Sequence, residues 1–175
     1  MIKQILSEDE IERILTRMCS EILEKNSDFS GIMFIGVKNR GDILAKRLAK
    51  KIEYAEGVTI PTSAVDITFY RDDVHLKAYK YIGKNDIQFD VTDKDVILVD
   101  DVIYTGRSIR AAIDVLIDSG RPKSIQLVVL VDRGKRDLPI QPDYLGREIG
   151  ASQDSEVSVH LKEIDGEDKA ILSFK

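Results

Sequence analysis

The 175-residue sequence has no tryptophan, one cysteine, two histidines and four prolines. The single cysteine, Cys19, excludes an internal disulfide, and His75 and His160 are too few for a convincing Cys/His zinc cluster. No apolar run approaches the length of a transmembrane helix, so we expect no membrane partner. The first residues lack the basic, apolar and small-residue regions of a secretory signal, which makes the cytoplasm the expected location.

The composition fits one globular domain. Apolar residues make up 43% of the chain and charged residues 33%, a balance that supports a core and argues against disorder. The formal net charge of −5 predicts no general attraction to phosphate backbones. Any binding of nucleic acid would therefore need a local basic patch.

Hydrophobic periodicity predicts strands that alternate with helices. Ser7 and Glu10 form a capping-box pattern before an amphipathic helix, and further helical patterns lie at 44–52 and 109–117. Strand-like runs occupy 31–37, 58–70, 96–99 and 125–131. This alternation is typical of an α/β fold with a central parallel sheet flanked by helices. The polar, aperiodic stretch of about 70–95 is interpreted as a long flexible loop.

The tail from Asp132 onward contains Pro139, Pro142 and short strand-like pieces at 157–161 and 170–174. We interpret it as a small C-terminal hood, so that a single domain, 1–175, has a core of about 1–131 and hood elements of about 132–175. The turns at 38–40, 100–108 and 132–136 would then share the edge where the parallel strands end. Ligands of such sheets bind at that edge.

The segment from Val96 to Ser108 carries the most specific chemistry. Its apolar strand ends in Asp100-Asp101 and leads through Thr105-Gly106-Arg107-Ser108 into a helix. The helix start, the glycine and the two hydroxyls suit a phosphate, whereas the carboxylates suit ribose hydroxyls. One alternative is the Mg²⁺ end of a nucleotide hydrolase, which needs a G-x-x-x-x-G-K-[ST] loop that the sequence lacks. Another is a helix cap without a ligand.

This segment resembles the phosphoribosyl pyrophosphate (PRPP) signature of type I phosphoribosyltransferases. Segments 65–73 and 131–140 further resemble the PyrR family of bifunctional pyrimidine operon attenuators and uracil phosphoribosyltransferases. The resemblance implies the type I phosphoribosyltransferase fold, with PRPP, uracil and UMP or UTP as ligands. It implies Mg²⁺ as a cofactor carried by PRPP, without a direct protein ligand. Tyr104 stands where purine-using relatives carry an acid, which favours a pyrimidine base.

The resemblance implies roles for individual residues. Asp100, Asp101 and the loop residue Arg71 are the predicted catalytic residues. The PRPP site is predicted to comprise Lys38, Asn39, Arg40 and Gly41 for the pyrophosphate, and Asp100, Asp101, Val102, Ile103, Tyr104, Thr105, Gly106, Arg107 and Ser108 for the ribose and 5′-phosphate. Base contacts are expected from Asp132, Arg133, Tyr144 and Leu145. Without the resemblance, Lys38 and Arg40 would be a solvated turn, and simple packing would explain Tyr144 and Leu145 as well as base stacking would.

The resemblance also implies a basic face for pyrimidine-operon mRNA. Its predicted residues are Arg13, Thr16, Arg17, Lys25, Lys135, Arg136 and Arg147, although scattered cations more often form a solubilising surface. Ser20 and Lys135 stand where the family pattern has histidine, and Gln141 stands where it has arginine. Two alternatives stay open: a salvage phosphoribosyltransferase without RNA binding, and a binding-only sensor of PRPP or nucleotides. Family precedent and the apolar face of the first helix predict a homodimer or a higher homo-oligomer.

Overall fold

The computed structural model describes residues 1–68, 90–150 and 154–174, which form eight strands and four helices. In chain order these are β1 (Ile2–Leu6), α1 (Glu8–Lys25), β2 (Ile32–Val37), α2 (Gly41–Glu56), β3 (Thr62–Val65), β4 (Asp95–Ile103), α3 (Arg107–Asp118), β5 (Ser124–Asp132), β6 (Tyr144–Glu148), β7 (Ser155–His160), α4 (Lys162–Asp165) and β8 (Lys169–Phe174).

Two sheets organise the fold. The central sheet has five parallel strands in the order β3-β2-β4-β5-β6, and a smaller antiparallel sheet has the order β1-β8-β7. We refer to the smaller sheet together with α4 as the hood. The predicted α/β fold with a central parallel sheet is confirmed.

Helices cover both faces of the central sheet because its buried strands are apolar on both sides. Along β4, Ile97 and Val99 pack with α1 and α2, whereas Val96 and Leu98 pack with α3. At the start of α1, the Ser7 side chain accepts a hydrogen bond from the Glu10 N–H and the Glu10 side chain accepts one from the Ser7 N–H, which confirms the capping box.

The structure corrects several predicted boundaries. β6 was assigned to the hood but is the fifth strand of the central sheet, and β1, assigned to the core, pairs with β8 in the hood. Within 58–68, the described part of the strand predicted over 58–70, a strand is observed only at Thr62–Val65. The predicted loop range ended at Asp95, yet Asp95 begins β4 and Val91 is buried, because this stretch packs against the chain that enters β5. Residues 70–89 of that range lie outside the described residues.

The apolar face of α1 is used inside the chain. Its buried residues Ile11, Ile14, Leu15, Met18, Cys19 and Ile22 belong to the same cluster as Phe34 of the central sheet and Leu161 and Ala170 of the hood. This face therefore lends no support to the predicted self-association. In the described part of the chain, no helix combines the length and the apolar character that crossing a membrane requires.

Candidate active site

A polar cavity of about 370 Å³ opens at the carboxyl edge of the central sheet. It brings together Lys38 and Asn39, which follow β2, Asp100 and Asp101 near the end of β4, and Ser108 in the first turn of α3. Its full lining is Val37, Lys38, Asn39, Asp66, Ile67, Thr68, Asp100, Asp101, Val102 and Ser108. Three of the predicted PRPP-binding segments thus meet in one cavity.

The acid pair lies within β4, beyond the four apolar residues predicted as the strand. Asp100 pairs with Val129 of β5, and its side chain is almost fully buried. The Asp101 N–H donates to Oδ1 of Asp100 at 2.9 Å, and the Val102 N–H donates to Oδ1 of Asp101 at 2.8 Å. These bonds orient both carboxyl groups at the end of the strand.

Burial gives the pair unusual acidity. It raises the pKa of Asp100 well above its ordinary value, and the neighbouring charge of Asp101 raises it further. Burial also raises the pKa of Asp101, although the Val102 N–H and the charge of Arg40 oppose the shift. The pair therefore keeps a proton at higher pH than exposed aspartates do, and it gains from a ligand that supplies hydroxyl donors or positive charge.

The segment from Val102 to Ser108 forms a loop that enters α3. Gly106 caps the helix with φ 91°, a left-handed conformation that glycine adopts without strain. The first turn of α3 contains no acidic residue and has no side-chain cap. The Asp137 and Leu138 N–H groups donate to the Thr105 carbonyl and hold the loop from above. The Arg107 N–H donates to the Thr105 hydroxyl at 3.4 Å, and the positive end of the helix dipole at this point suits an anion.

The Lys38–Gly41 turn is pressed against the acid pair. A Cβ on Gly41 would lie 2.3 Å from the Val99 carbonyl oxygen and 3.1 Å from Cα of Asp100, so only glycine allows this approach. Gly36 is equally restricted, because its Cβ would lie 2.2 Å from Cα of Asp42. Lys38 and Asn39 line the cavity, whereas Arg40 reaches Asp165 in the hood.

Three lining residues, Asp66, Ile67 and Thr68, were not singled out as site residues from the sequence. The Thr68 N–H and hydroxyl both donate to Oδ1 of Asp66, and these bonds lower the pKa of that carboxyl. The usable signal was their position directly after a strand that ends at the same edge. Arg71, the predicted catalytic residue that follows, lies outside the described residues.

Asp132 and Arg133 follow the end of β5 at this edge. Burial alone would raise the pKa of Asp132, but hydrogen bonds from Arg136 and the Gly134 N–H outweigh it and leave that pKa lowered. The Arg133 guanidinium lies 3.9 Å from the centre of the Tyr104 ring and donates to the Ser155 carbonyl. Arg133 therefore connects the loop that enters α3, through Tyr104, with strand β7 of the hood, through Ser155.

Comparison with known proteins identifies the family. A model of the phosphoribosyl transferase domain matches residues 1–163. The chain is 48% identical over 171 residues to the bifunctional protein PyrR of Latilactobacillus sakei, covering 96% of each chain. It is 50% identical over 165 residues to that of Microcystis aeruginosa, covering 94% of this chain and 93% of the relative. The chain belongs to the PyrR family of phosphoribosyltransferases.

Solved structures share the fold of this PyrR family member at low sequence identity. The HGPRT-ase from Leishmania tarentolae in complex with GMP has a TM-score of 0.74 at 16% identity, covering 99% of this chain and 96% of that one. A hypoxanthine phosphoribosyltransferase from Staphylococcus aureus has a TM-score of 0.70 at 19% identity, covering 99% and 92%. At these identities the similarity shows a shared architecture and does not indicate which base this chain uses.

Two residues that the PyrR resemblance offered for the base lie elsewhere. Tyr144 begins β6, pairs with Val128 in the middle of β5 and is 1% exposed. Its hydroxyl donates to Gln126 at 2.5 Å and accepts from Asn26 at 3.1 Å. Leu145 follows it in β6 and pairs with Val129. Both residues therefore lie within the central sheet, and packing explains their positions. The assignment of this segment to the hood was wrong.

The cations proposed for a PyrR-type RNA face divide into two kinds. Arg13, Lys25 and Lys135 are exposed, and Lys25 lies 4.8 Å above the Tyr144 ring. Arg136, by contrast, is held by Asp132 and by the Tyr104 and Ile140 carbonyls, with a side chain only 12% exposed. The family resemblance predicted Arg136 as an RNA contact, but its guanidinium is hydrogen-bonded within the protein.

The remaining members of that set connect elements of the fold. Arg17 donates to the Leu145 and Gly146 carbonyls, and Arg147 donates to Glu10 and to the Ile5 carbonyl, so both tie α1 or β1 to β6. Thr16 is exposed on α1, where its hydroxyl donates to the Glu12 carbonyl. The structure therefore does not gather the seven predicted residues into a single unpaired basic face.

Proposed function

We propose that this chain transfers the phosphoribosyl group of PRPP to uracil, forming UMP and releasing pyrophosphate. The cavity that joins Lys38 and Asn39, the buried acid pair and Ser108 carries this proposal, since its cationic, carboxylate and hydroxyl groups suit the pyrophosphate, the ribose hydroxyls and the 5′-phosphate of PRPP. In the reaction the bond from ribose C1 to the pyrophosphate oxygen breaks, with its electron pair leaving on the pyrophosphate, and a bond from C1 to a uracil nitrogen forms as that nitrogen releases its proton to the leaving pyrophosphate or to water. Uracil as the base rests on the PyrR family membership.

Each part of the site has a role in this proposal. Asp100 and Asp101 accept hydrogen bonds from the ribose hydroxyls, and residues 105–108 hold the 5′-phosphate at the start of α3. The Lys38–Gly41 turn stabilises negative charge that develops on the leaving pyrophosphate. Arg71 would add to that charge stabilisation, and Arg133 and Asp132 border the base.

The acid pair also fits a magnesium ion brought by PRPP. Among the described residues, no group of three or more His, Cys, Asp or Glu side chains could hold a metal by itself. Mg²⁺ is often bound mainly by substrate phosphates and water, so PRPP would carry the ion without a direct protein ligand, and the negative charge of Asp100 and Asp101 would attract it to the site. When bound, the ion would neutralise charge on the pyrophosphate and favour the ionised form of the pair.

Product formation from a panel of bases tests the transfer activity. The purified protein is incubated with PRPP, Mg²⁺ and uracil, orotate or hypoxanthine, and nucleotides are separated chromatographically. We expect UMP from uracil and no product from the other two. The Asp100→Asn/Asp101→Asn double variant should lose roughly a hundredfold or more in kcat/KM, because two charged hydrogen bonds are removed. Nucleotide from hypoxanthine alone would refute the choice of uracil, and PRPP binding without turnover would favour a sensor.

The second proposed activity is uridine-nucleotide-dependent binding of pyrimidine-operon mRNA. The curated relatives carry the name bifunctional protein, and Arg13, Lys25 and Lys135 are exposed cations that could contact phosphates. With an overall charge of −5, binding would depend on these local groups. A salvage enzyme without RNA binding is the competing proposal.

Salt-dependent RNA affinity separates the two. Binding of a pyrimidine-operon leader RNA would be measured with and without UMP or UTP over a range of salt concentrations. Lys135→Gln should weaken binding and reduce the slope of log affinity against log salt by about 1, if Lys135 contacts a phosphate. Lys46→Gln, the same change of charge at an exposed position of α2, serves as the control for nonspecific charge effects. An affinity for the leader RNA that does not change when UMP or UTP is added would favour the salvage enzyme.

Self-association completes the proposal, and it rests on the family resemblance. Light scattering of the purified chain at several concentrations would test assembly. A homodimer or higher homo-oligomer is the expected result, and a monomer at all concentrations would refute it.

A further inference from the structure

Arg40, in the turn proposed to bind pyrophosphate, is engaged by a carboxylate of the hood. Its Nη2 lies 3.0 Å from Oδ1 and 3.2 Å from Oδ2 of Asp165, and its Nε lies 3.3 Å from Oδ2. The side chains are 31% and 17% exposed, so the pair is partly shielded from water. Such a fork fixes the plane of a guanidinium more strictly than a single contact does.

Asp165 is itself firmly placed. The Leu161 N–H donates to its Oδ2 at 2.8 Å, and its own N–H donates to the Leu161 carbonyl at 2.7 Å. The same hood turn is anchored to α2 by Arg47, which pairs with Glu163 and, at 2.7 Å, with Asp168. The carboxylate that holds Arg40 therefore belongs to a turn fixed on the same helix that Arg40 caps.

The pairing leaves part of Arg40 for a ligand. Within the described residues, its Nη1 group makes no hydrogen bond, while Nε and Nη2 are occupied by Asp165. The chain neighbour of Arg40, Gly41, is packed against the acid pair, since a Cβ there would lie 3.1 Å from Cα of Asp100, and the charge of Arg40 opposes the rise in the pKa of Asp101. Arg40 thus lies beside the acid pair with one donor group available to an anion.

We propose that Asp165 is a positioning residue for the reaction: it holds the Arg40 guanidinium beside the acid pair so that Nη1 can bind the pyrophosphate of PRPP. Asp165 itself touches no ligand and acts only through Arg40. The proposal rests on the proposed function in one respect, the binding of pyrophosphate by the Lys38–Gly41 turn. It assigns the hood a part in binding the leaving group, in addition to covering the site.

A double-mutant cycle on the full chain tests this coupling. Asp165→Asn keeps an acceptor for the Leu161 N–H but loses the charge that orients Arg40, and Arg40→Gln removes the guanidinium. Affinities for PRPP with Mg²⁺ and for Mg²⁺-pyrophosphate would be measured by calorimetry, which requires no turnover. We expect each single variant to bind roughly tenfold more weakly, and the double variant to bind no more weakly than Arg40→Gln.

Two further variants separate positioning from stability. Asp165→Glu keeps the charge and should recover part of the lost affinity. Glu167→Gln removes an exposed carboxylate that directly follows the same hood turn and pairs only with Lys169 among the described residues, so it should leave both affinities unchanged. The apparent KM for PRPP should rise in Asp165→Asn more than kcat falls, because binding of the pyrophosphate group is what changes.

Additive losses in the double variant would overturn the proposal, since Asp165 would then act independently of Arg40. Tighter pyrophosphate binding by Asp165→Asn would also overturn it, because Asp165 would be a competitor for the guanidinium. Coupled losses in affinity, in a protein that makes no UMP from uracil, would refute the proposed transfer reaction and still support the positioning of Arg40.

Discussion

The acid pair shows how a residue's chemistry depends on where the strand places it. Asp100 and Asp101 could be recognised from the sequence, because two acids after an apolar run are unusual. Their altered acidity could not, since it depends on the closeness of Gly41 and on the strands on either side. An ionised carboxylate that is shielded from water destabilises the protein without ligand. Hydrogen bonds from a bound ligand would offset that cost.

Asp100→Asn should therefore stabilise the protein at pH 7 to 8 while it impairs the proposed activity. Folding raises the pKa of this carboxyl above its ordinary 3.8, so between the two pKa values the folded state binds more protons and stability falls as the pH rises. Asparagine has no proton to lose and avoids that fall. Thermal unfolding at a series of pH values should show a gain in Tm that grows with pH and is smallest below pH 3.8.

Glu24→Gln provides the control for that series, because Glu24 is exposed on α1. If the difference in Tm between Asp100→Asn and wild type does not change with pH, the Asp100 carboxyl has the same pKa in the folded and unfolded chains. Destabilisation by Asp100→Asn at pH 8 would contradict the expected gain in stability.

At the scale of elements, periodicity predicted those strands and helices whose patterns are long and uninterrupted. β2, β5 and α3 were located within a few residues because their buried positions recur regularly. β6 was assigned wrongly, since its sequence includes Gly146 and two charged residues. Gly146 is required there by a contact that no local pattern reveals: a Cβ would lie 2.2 Å from the Leu130 carbonyl oxygen.

The glycine at the start of α2 gives the sharpest prediction at this scale. Gly41→Ala should lower the free energy of unfolding by about 1–3 kcal/mol, because the new Cβ would overlap the Val99 carbonyl and push α2 away from β4. The same displacement should weaken PRPP binding. Gly31→Ala is the matched control, since a Cβ at Gly31 would meet no atom within 4 Å. Urea unfolding and calorimetry of both variants would check this, and equal stabilities would contradict the close approach.

At the scale of the whole molecule, the hood and the central sheet are joined by contacts between residues far apart in the chain. β1 pairs with β8 from Ile2–Ser173 onward, Arg47 ties α2 to the hood turn, and Arg40 meets Asp165. Sequence motifs could locate the phosphate loop because its residues are consecutive. They could not show which acid meets Arg40, or that Arg136 is buried against Asp132, because those partners follow from the packing of separate elements.

The shared core predicts that hood and central sheet unfold together. Leu161, at the junction of β7 and α4, is fully buried in the cluster that also contains Phe34 of β2 and Leu6 beside α1. Leu161→Ala should cost about 2–5 kcal/mol, and hydrogen exchange should accelerate in β5 as much as in β8. Ile164 lies in α4 and is 51% exposed. Ile164→Ala should therefore change neither the free energy of unfolding nor the exchange rates. Faster exchange confined to β7, β8 and α4 would mean that the hood opens independently, and the Arg40–Asp165 pair would then form and break with it.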